Sequence, residues 1–242
     1  MKTLACFLTL GIFALAFGVL GPGAVRAQEP AAPSTGSITG SISLSRTKVK
    51  TKGSKSDKHV VVYLEKVGGS ETSPPTEHAV MDQRGLVFVP HLMVIPKGTT
   101  VDFLNSDTEK HNVFCVEDCC MVLQDKPDKK KPKTMDLGDW GQGEVRVYTF
   151  DLPGVAVLLC RLHPEMAAYV VILETSIFAV AEIDGETQTA TYTIENVPPG
   201  EYVLKTYNKR CESPDQNVTI EEGKIAQADI ELVRKRKRRR GR

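Results

Sequence analysis

Past its first twenty residues the chain has no apolar run long enough to cross a membrane as a helix. It also lacks any long stretch with the three-to-four-residue periodicity of an amphipathic helix, which argues against a helical bundle. Aromatic residues are scarce, 6% with a single Trp, and no cluster of them suggests the flat platform a carbohydrate-binding face would need. A strong net charge is missing too: the formal value is +1. That balance conceals a polarity. Lys2, Arg26 and eight basic residues in 234–242 account for ten of the 31 Lys and Arg, which leaves 21 basic against 30 acidic residues, a body near −9 with a basic tail.

What is present begins with an export signal. Lys2 precedes an apolar run over 4–20, and Ala24-Val25-Arg26-Ala27 places small residues at the last and third-last positions of a peptidase site. The pattern predicts a signal peptide over 1–27 cleaved after Ala27, and hence a periplasmic or secreted protein of 215 residues. The competing reading is a retained anchor. A linker rich in Pro and Ala follows over 28–35.

Beyond it, short segments rich in Val, Ile, Thr and Phe alternate with turn residues, which predicts strands over 37–44, 59–66, 86–95, 100–104, 145–150, 155–160, 168–173, 178–183, 190–194, 202–207, 218–221 and 226–233. Strands of this length and spacing predict an all-β chain of sandwiches or barrels. Polar breaks at 68–76 and 117–134 interrupt them.

The densest chemistry lies in Cys160-Arg161-Leu162-His163-Pro164-Glu165-Met166, directly after one apolar strand and before another. One tight loop thus delivers a thiolate, an imidazole and a thioether. Soft sulfur beside imidazole favours copper, and a trigonal His₂Cys set with a weak axial Met is an electron-transfer geometry. The second imidazole is His111, 49 residues before Cys160, where the chain passes from one strand to the next. Zinc is the rival metal, but structural zinc sites take more thiolates and no thioether. A Cys/His nucleophile ranks last, since neither an acyl-binding loop nor an orienting acid can be picked out beside the pair.

These residues resemble the cupredoxins, the small blue copper proteins of the plastocyanin and amicyanin type. Cys160-x-x-His163-Pro164-x-Met166 is similar to the short amicyanin loop, His111-Asn112 to the family's upstream ligand and its neighbour, and Val94-Ile95-Pro96-Lys97-Gly98-Thr99-Thr100-Val101 to the strand entry before it. The nearest likeness is to secreted plastocyanin-like proteins of the methylamine-utilisation type. The resemblance implies a two-sheet β-sandwich over 76–176, copper in the plane of His111, Cys160 and His163, Met166 as axial ligand, and Asn112 steadying the Cys160 loop. The flanks, 36–66 and 177–233, resemble the two halves of a carboxypeptidase regulatory-like, transthyretin-like sandwich, so the cupredoxin reads as an insert. Fold likeness alone gives that domain no activity, and it reads as a scaffold or binding module.

The remaining mature cysteines, Cys115, Cys119, Cys120 and Cys211, allow two disulfides in three pairings; a second soft-metal site at Cys115, Cys119 and Cys120 is the sharper alternative. His59, His78 and His91 read as structural or surface residues. The tail over 234–242 suits an anionic surface or an acidic partner better than a specific nucleic acid, given export. Two functions follow: a carrier passing single electrons between exported redox proteins, such as a c-type cytochrome or a dehydrogenase, or a protein that stores, delivers or structurally uses copper. Neither is an enzyme, because a saturated ligand set leaves no open position for substrate.

Overall fold

The computed structural model describes residues 34–45, 58–69, 73–115 and 135–235. The expected signal peptide, most of the linker, Cys119, Cys120 and the tail beyond Lys235 lie outside them. Among the described residues there are eighteen strands and no helix, and the chain is all-β.

Two pairs of sheets account for the strands. In the first sheet β1 (Gly36–Leu44) lies between β13 (Thr189–Val197) and β18 (Ile230–Arg234), with β15 (Cys211–Glu212) beyond β18 and β17 (Ile225–Gln227) also beside β1. The second runs β12 (Phe178–Glu182), β2 (His59–Lys66), β14 (Gly200–Tyr207), β16 (Gln216–Ile220). Their facing sides share a core of Ile38, Ile42, Val60, Val62, Leu64, Tyr202, Leu204 and Ile230, among others. Gly40 is needed in β1 because a Cβ there would stand 1.8 Å from the Ala228 carbonyl oxygen.

Strands β3 to β11 pair only among themselves. One sheet runs β4 (Phe88–Val89), β3 (Ala79–Gln83), β6 (Thr99–Asn105), β9 (Val145–Phe150); the other runs β5 (Leu92–Pro96), β11 (Ala167–Leu173), β10 (Gly154–Leu159), β7 (His111–Cys115), β8 (Met135–Trp140). In β6 alternate residues Thr99, Val101, Phe103 and Asn105 point inward, the period of two expected of a sheet with one wet face. Of these, Val101 and Phe103 join Val113, Trp140, Ala156, Leu158, Val170 and Ile172 in the second core.

Strands β2 and β11 break that alternation. Val60 to Leu64 are all buried, and so are Val170 to Leu173. Continuous burial means that both faces are covered, and a third cluster supplies the cover: Val61 and Tyr63 of β2 pack with Val155, Val171 and Leu173, flanked by Leu92, Val94, Tyr169, Phe178 and Tyr207. Lys209 reinforces this contact, its Nζ donating to the Tyr169 hydroxyl at 2.5 Å.

Several strand expectations change. The segment 86–95 is two strands in different sheets, because Pro90 has no N–H to give a ladder. The segment 226–233 likewise divides into β17 and β18. Strands β3, β8 and β15 were not foreseen; β8, with Asp136, Gly138 and Asp139, has poor intrinsic strand propensity and forms through its pairing with β7.

Candidate metal centre

The metal-ligating side chains converge through strand parity. On β7, His111 points to the same side as Val113 and Cys115; beyond β10, Cys160 continues the inward row of Ala156 and Leu158. Leu159 pairs with Phe114 in the antiparallel ladder, which brings the start of β7 beside the loop that follows β10. The chain then turns tightly, the Met166 amide donating to the His163 carbonyl at 2.9 Å, before β11 begins.

His111, Cys160 and His163 each offer one ligating atom, and the three lie within 4.8 Å of one another. Among the described residues no other group of three His, Cys, Asp or Glu side chains does so. The Cys160 Sγ is 3.9 Å from His111 Nδ1 and 3.7 Å from His163 Nδ1, and the two nitrogens are 3.1 Å apart. An ion about 2.0 Å from each nitrogen and about 2.3 Å from sulfur, in one plane with them, would require about 3.5 Å between nitrogens and about 3.7 Å from nitrogen to sulfur. The observed triangle matches to within a few tenths of an ångström, so the residues fit a trigonal metal ion. His111 is 0% and Cys160 2% exposed, whereas His163 is half-buried. Met166, 1% exposed, belongs to the same buried cluster as Cys160.

The neighbours of these residues orient them. His111 Nε2 lies 2.9 Å from Asp107 Oδ2; an ionised carboxylate only accepts, so Nε2 donates and the Nδ1 lone pair is left to face Cys160. Asp107 is in turn held by the amides of Gly85, at 2.6 Å, and Leu86, at 3.0 Å. Burial pushes its carboxyl up, but these two amides and His111 together outweigh that and hold it below its ordinary value. Asn112, fully buried, accepts from the Arg161 amide at 3.4 Å and donates to Asp136 Oδ1 and the Gly138 carbonyl, both at 3.0 Å. Asp136 pairs with the Arg161 guanidinium through bonds of 2.8 and 3.1 Å, and that pairing is the main cause of its depressed pKa.

Asp107 and Asp136 were missed in the sequence. A carboxylate four residues before a candidate ligand could have pointed to Asp107. Nothing local marks Asp136, 24 residues past Asn112 and just beyond a segment read as irregular. The other histidines lie apart from the group: His78 pairs with Asp102 at 2.7 Å, and His91 stands edge-on to Tyr169. Cys115 and Cys211 are both buried, Cys115 in the core shared by β3 to β11 and Cys211 in that of the flanking sandwich. Cys119 and Cys120, and with them the soft-metal alternative, lie outside the described residues.

Several solved structures are similar over part of the chain. A copper-containing nitrite reductase from Thermus scotoductus SA-01 is 26% identical over 44% of this chain and 24% of its own, with a TM-score of 0.33; the chain thus spans about a quarter of that protein's length. The Cu(I) form of a single-residue mutant of amicyanin is 19% identical over 43% of this chain and 94% of its own, with a TM-score of 0.35. A purple cupredoxin from Nitrosopumilus maritimus is 20% identical over 39% and 99%, with a TM-score of 0.31. No curated protein matches the chain. Residues 76–173 match the model of the copper binding proteins of the plastocyanin/azurin family; this segment is a cupredoxin β-sandwich, and copper is its metal.

Proposed function

We propose that the protein is an exported type 1 copper protein that carries single electrons, in which His111, Cys160, His163 and Met166 would hold the copper. The observation that carries this reading is the buried Cys160 sulfur facing two imidazole Nδ1 atoms at 3.7 and 3.9 Å. Copper bound there supplies one electron, cycling between Cu(I) and Cu(II).

The chain's own residues keep that exchange inexpensive. Ladders on β7 and β10 fix His111 and Cys160, Asp107 fixes one imidazole, and a close-packed core leaves the ligands little room to rearrange between oxidation states. The buried side chains exclude water from the sulfur. His163 is the half-buried member of the set, and beside it Leu162, 46% exposed, and Pro164 offer an apolar rim. Electrons enter and leave through this edge, from partners such as an exported c-type cytochrome or dehydrogenase. The cupredoxin is an insert over 76–176, and the sandwich of 36–66 and 177–233 is its scaffold, covering the outer face of the β5–β11–β10 region through Val61, Tyr63 and Phe178. The tail over 234–242 gives the acidic body a contact with anionic surfaces.

Stopped-flow mixing of the reduced, copper-loaded protein with an oxidised c-type cytochrome tests the carrier role. Rapid transfer of one electron per copper is expected, and a Cys160→Ser variant should show none. Tight copper binding without electron exchange would favour storage or delivery.

A further inference from the structure

His111 and Cys160 lie 49 residues apart in sequence, and their separation depends on whatever ties β7 to the loop after β10. Besides the Leu159–Phe114 pairing, that tie is a closed ring of hydrogen bonds. The Arg161 amide donates to Asn112 Oδ1, Asn112 Nδ2 donates to Asp136 Oδ1, and the Arg161 guanidinium closes the circuit on both oxygens of Asp136. Asn112 adjoins His111 and Arg161 adjoins Cys160. The carboxylate itself is fixed by β8, since it stands opposite Phe114 in the ladder and accepts from the Gly138 amide at 3.1 Å, a turn that Gly138 makes at φ +70°. The guanidinium lies over the Phe114 ring, 5.1 Å from its centroid.

We propose that Asp136 is a positioning residue for the copper centre, acting through Arg161 and Asn112 to hold the Cys160 loop against His111. The role rests on the copper reading above. An ion pair this exposed, 50% and 46% for the two side chains, is screened by solvent and adds little to folding, so stability gives it little purpose. Its geometry does: four hydrogen bonds converge on one carboxylate, and two of its three donor residues are chain neighbours of the ligands. A planar fork is what a bidentate contact of this kind requires, and lysine cannot reproduce it.

The test titrates copper(I) against a chromophoric chelator in the full mature chain, for the unaltered protein, Asp136→Asn, Arg161→Lys and the double variant, with thermal unfolding of each apoprotein alongside. The role predicts that each single variant binds copper about tenfold or more weakly, that the double variant loses no more than the worse single one, and that apoprotein melting hardly moves. Arg161→Lys keeps the charge, so its near-normal affinity beside a weakened Asp136→Asn would reduce the effect to electrostatics and overturn the role. Affinities within about twofold of the unaltered protein, or losses that track the melting temperature, would overturn it as well. If the unaltered protein binds no copper, the copper reading fails and this role with it; retained binding in all variants overturns the role of Asp136 alone.

Discussion

At the scale of single residues, the hydrogen bond between Asp107 and His111 is the clearest lever on the copper potential. An ionised carboxylate behind an imidazole raises its basicity and favours the more highly charged Cu(II). Asp107→Asn keeps the shape and removes the charge, so Cu(II) should be bound about 10- to 100-fold more weakly relative to Cu(I). Voltammetry should then find the potential raised by about 60–120 mV, at about 59 mV per tenfold for one electron; an unchanged or lowered value would remove Asp107 from the account. The geometry of His111, Cys160 and His163 could be anticipated because each ligand type carries its own chemistry and the loop spacing is short. Asp107 had only its place four residues before His111 to mark it and Asp136 had no local mark at all, since an aspartate in a turn is commonplace and only the folded ladder shows what it faces.

At the scale of strands, β-branched and aromatic content between turn residues made β1, β6, β13 and β14 legible, while the strands that escaped notice owe their form to tertiary pairing. β8 carries a Gly and two Asp that disfavour a strand in isolation, yet its pairing with β7 delivers Asp136 to the Cys160 loop. Double-sided burial was written in the uninterrupted apolar run of β2, but its partner across the contact was not, because periodicity says nothing about which surface covers a face. Leu173, 1% exposed, sits in that contact. Leu173→Ala should cost about 2–5 kcal/mol in urea unfolding of the apoprotein, with the absorption of the copper site unaltered. A loss under about 1 kcal/mol would mean that the two sandwiches are not mutually supporting there.

At the scale of the whole molecule, the third cluster makes the two sandwiches interdependent. A fragment limited to 76–176 would expose Leu92, Val94, Val155, Val171 and Leu173 on one sheet face, and should bind an apolar dye and aggregate where the mature chain stays monodisperse. Protonation sets the outer bounds of stability. Asp107, Asp136, Glu144, Asp184 and Asp229 are all held below their ordinary values, by hydrogen bonds from backbone amides and side chains. A depressed carboxylate contributes stability above its unfolded pKa of about 4 and loses it as pH falls through the folded value. Apoprotein melting should therefore be insensitive to these groups from about pH 5 to 8 and decline below about pH 4, by a modest amount because all of them but Asp107 are exposed. At the alkaline end, burial pushes Tyr192 and Tyr207 up to about 12 and Tyr63 higher still. Their contribution is intact below about pH 10 and is lost as pH rises through the folded values, so their phenolate absorbance should appear late and together with unfolding.

The most direct test of the account is the visible absorption spectrum of residues 28–242 loaded with Cu(II), beside that of a Cys160→Ser variant. The account predicts an intense thiolate-to-copper band in the red for the unaltered protein, absent from the variant. A folded protein with a reactive Cys160 thiol that takes up Cu(II) without such a band, or a band that survives in the variant, would contradict it.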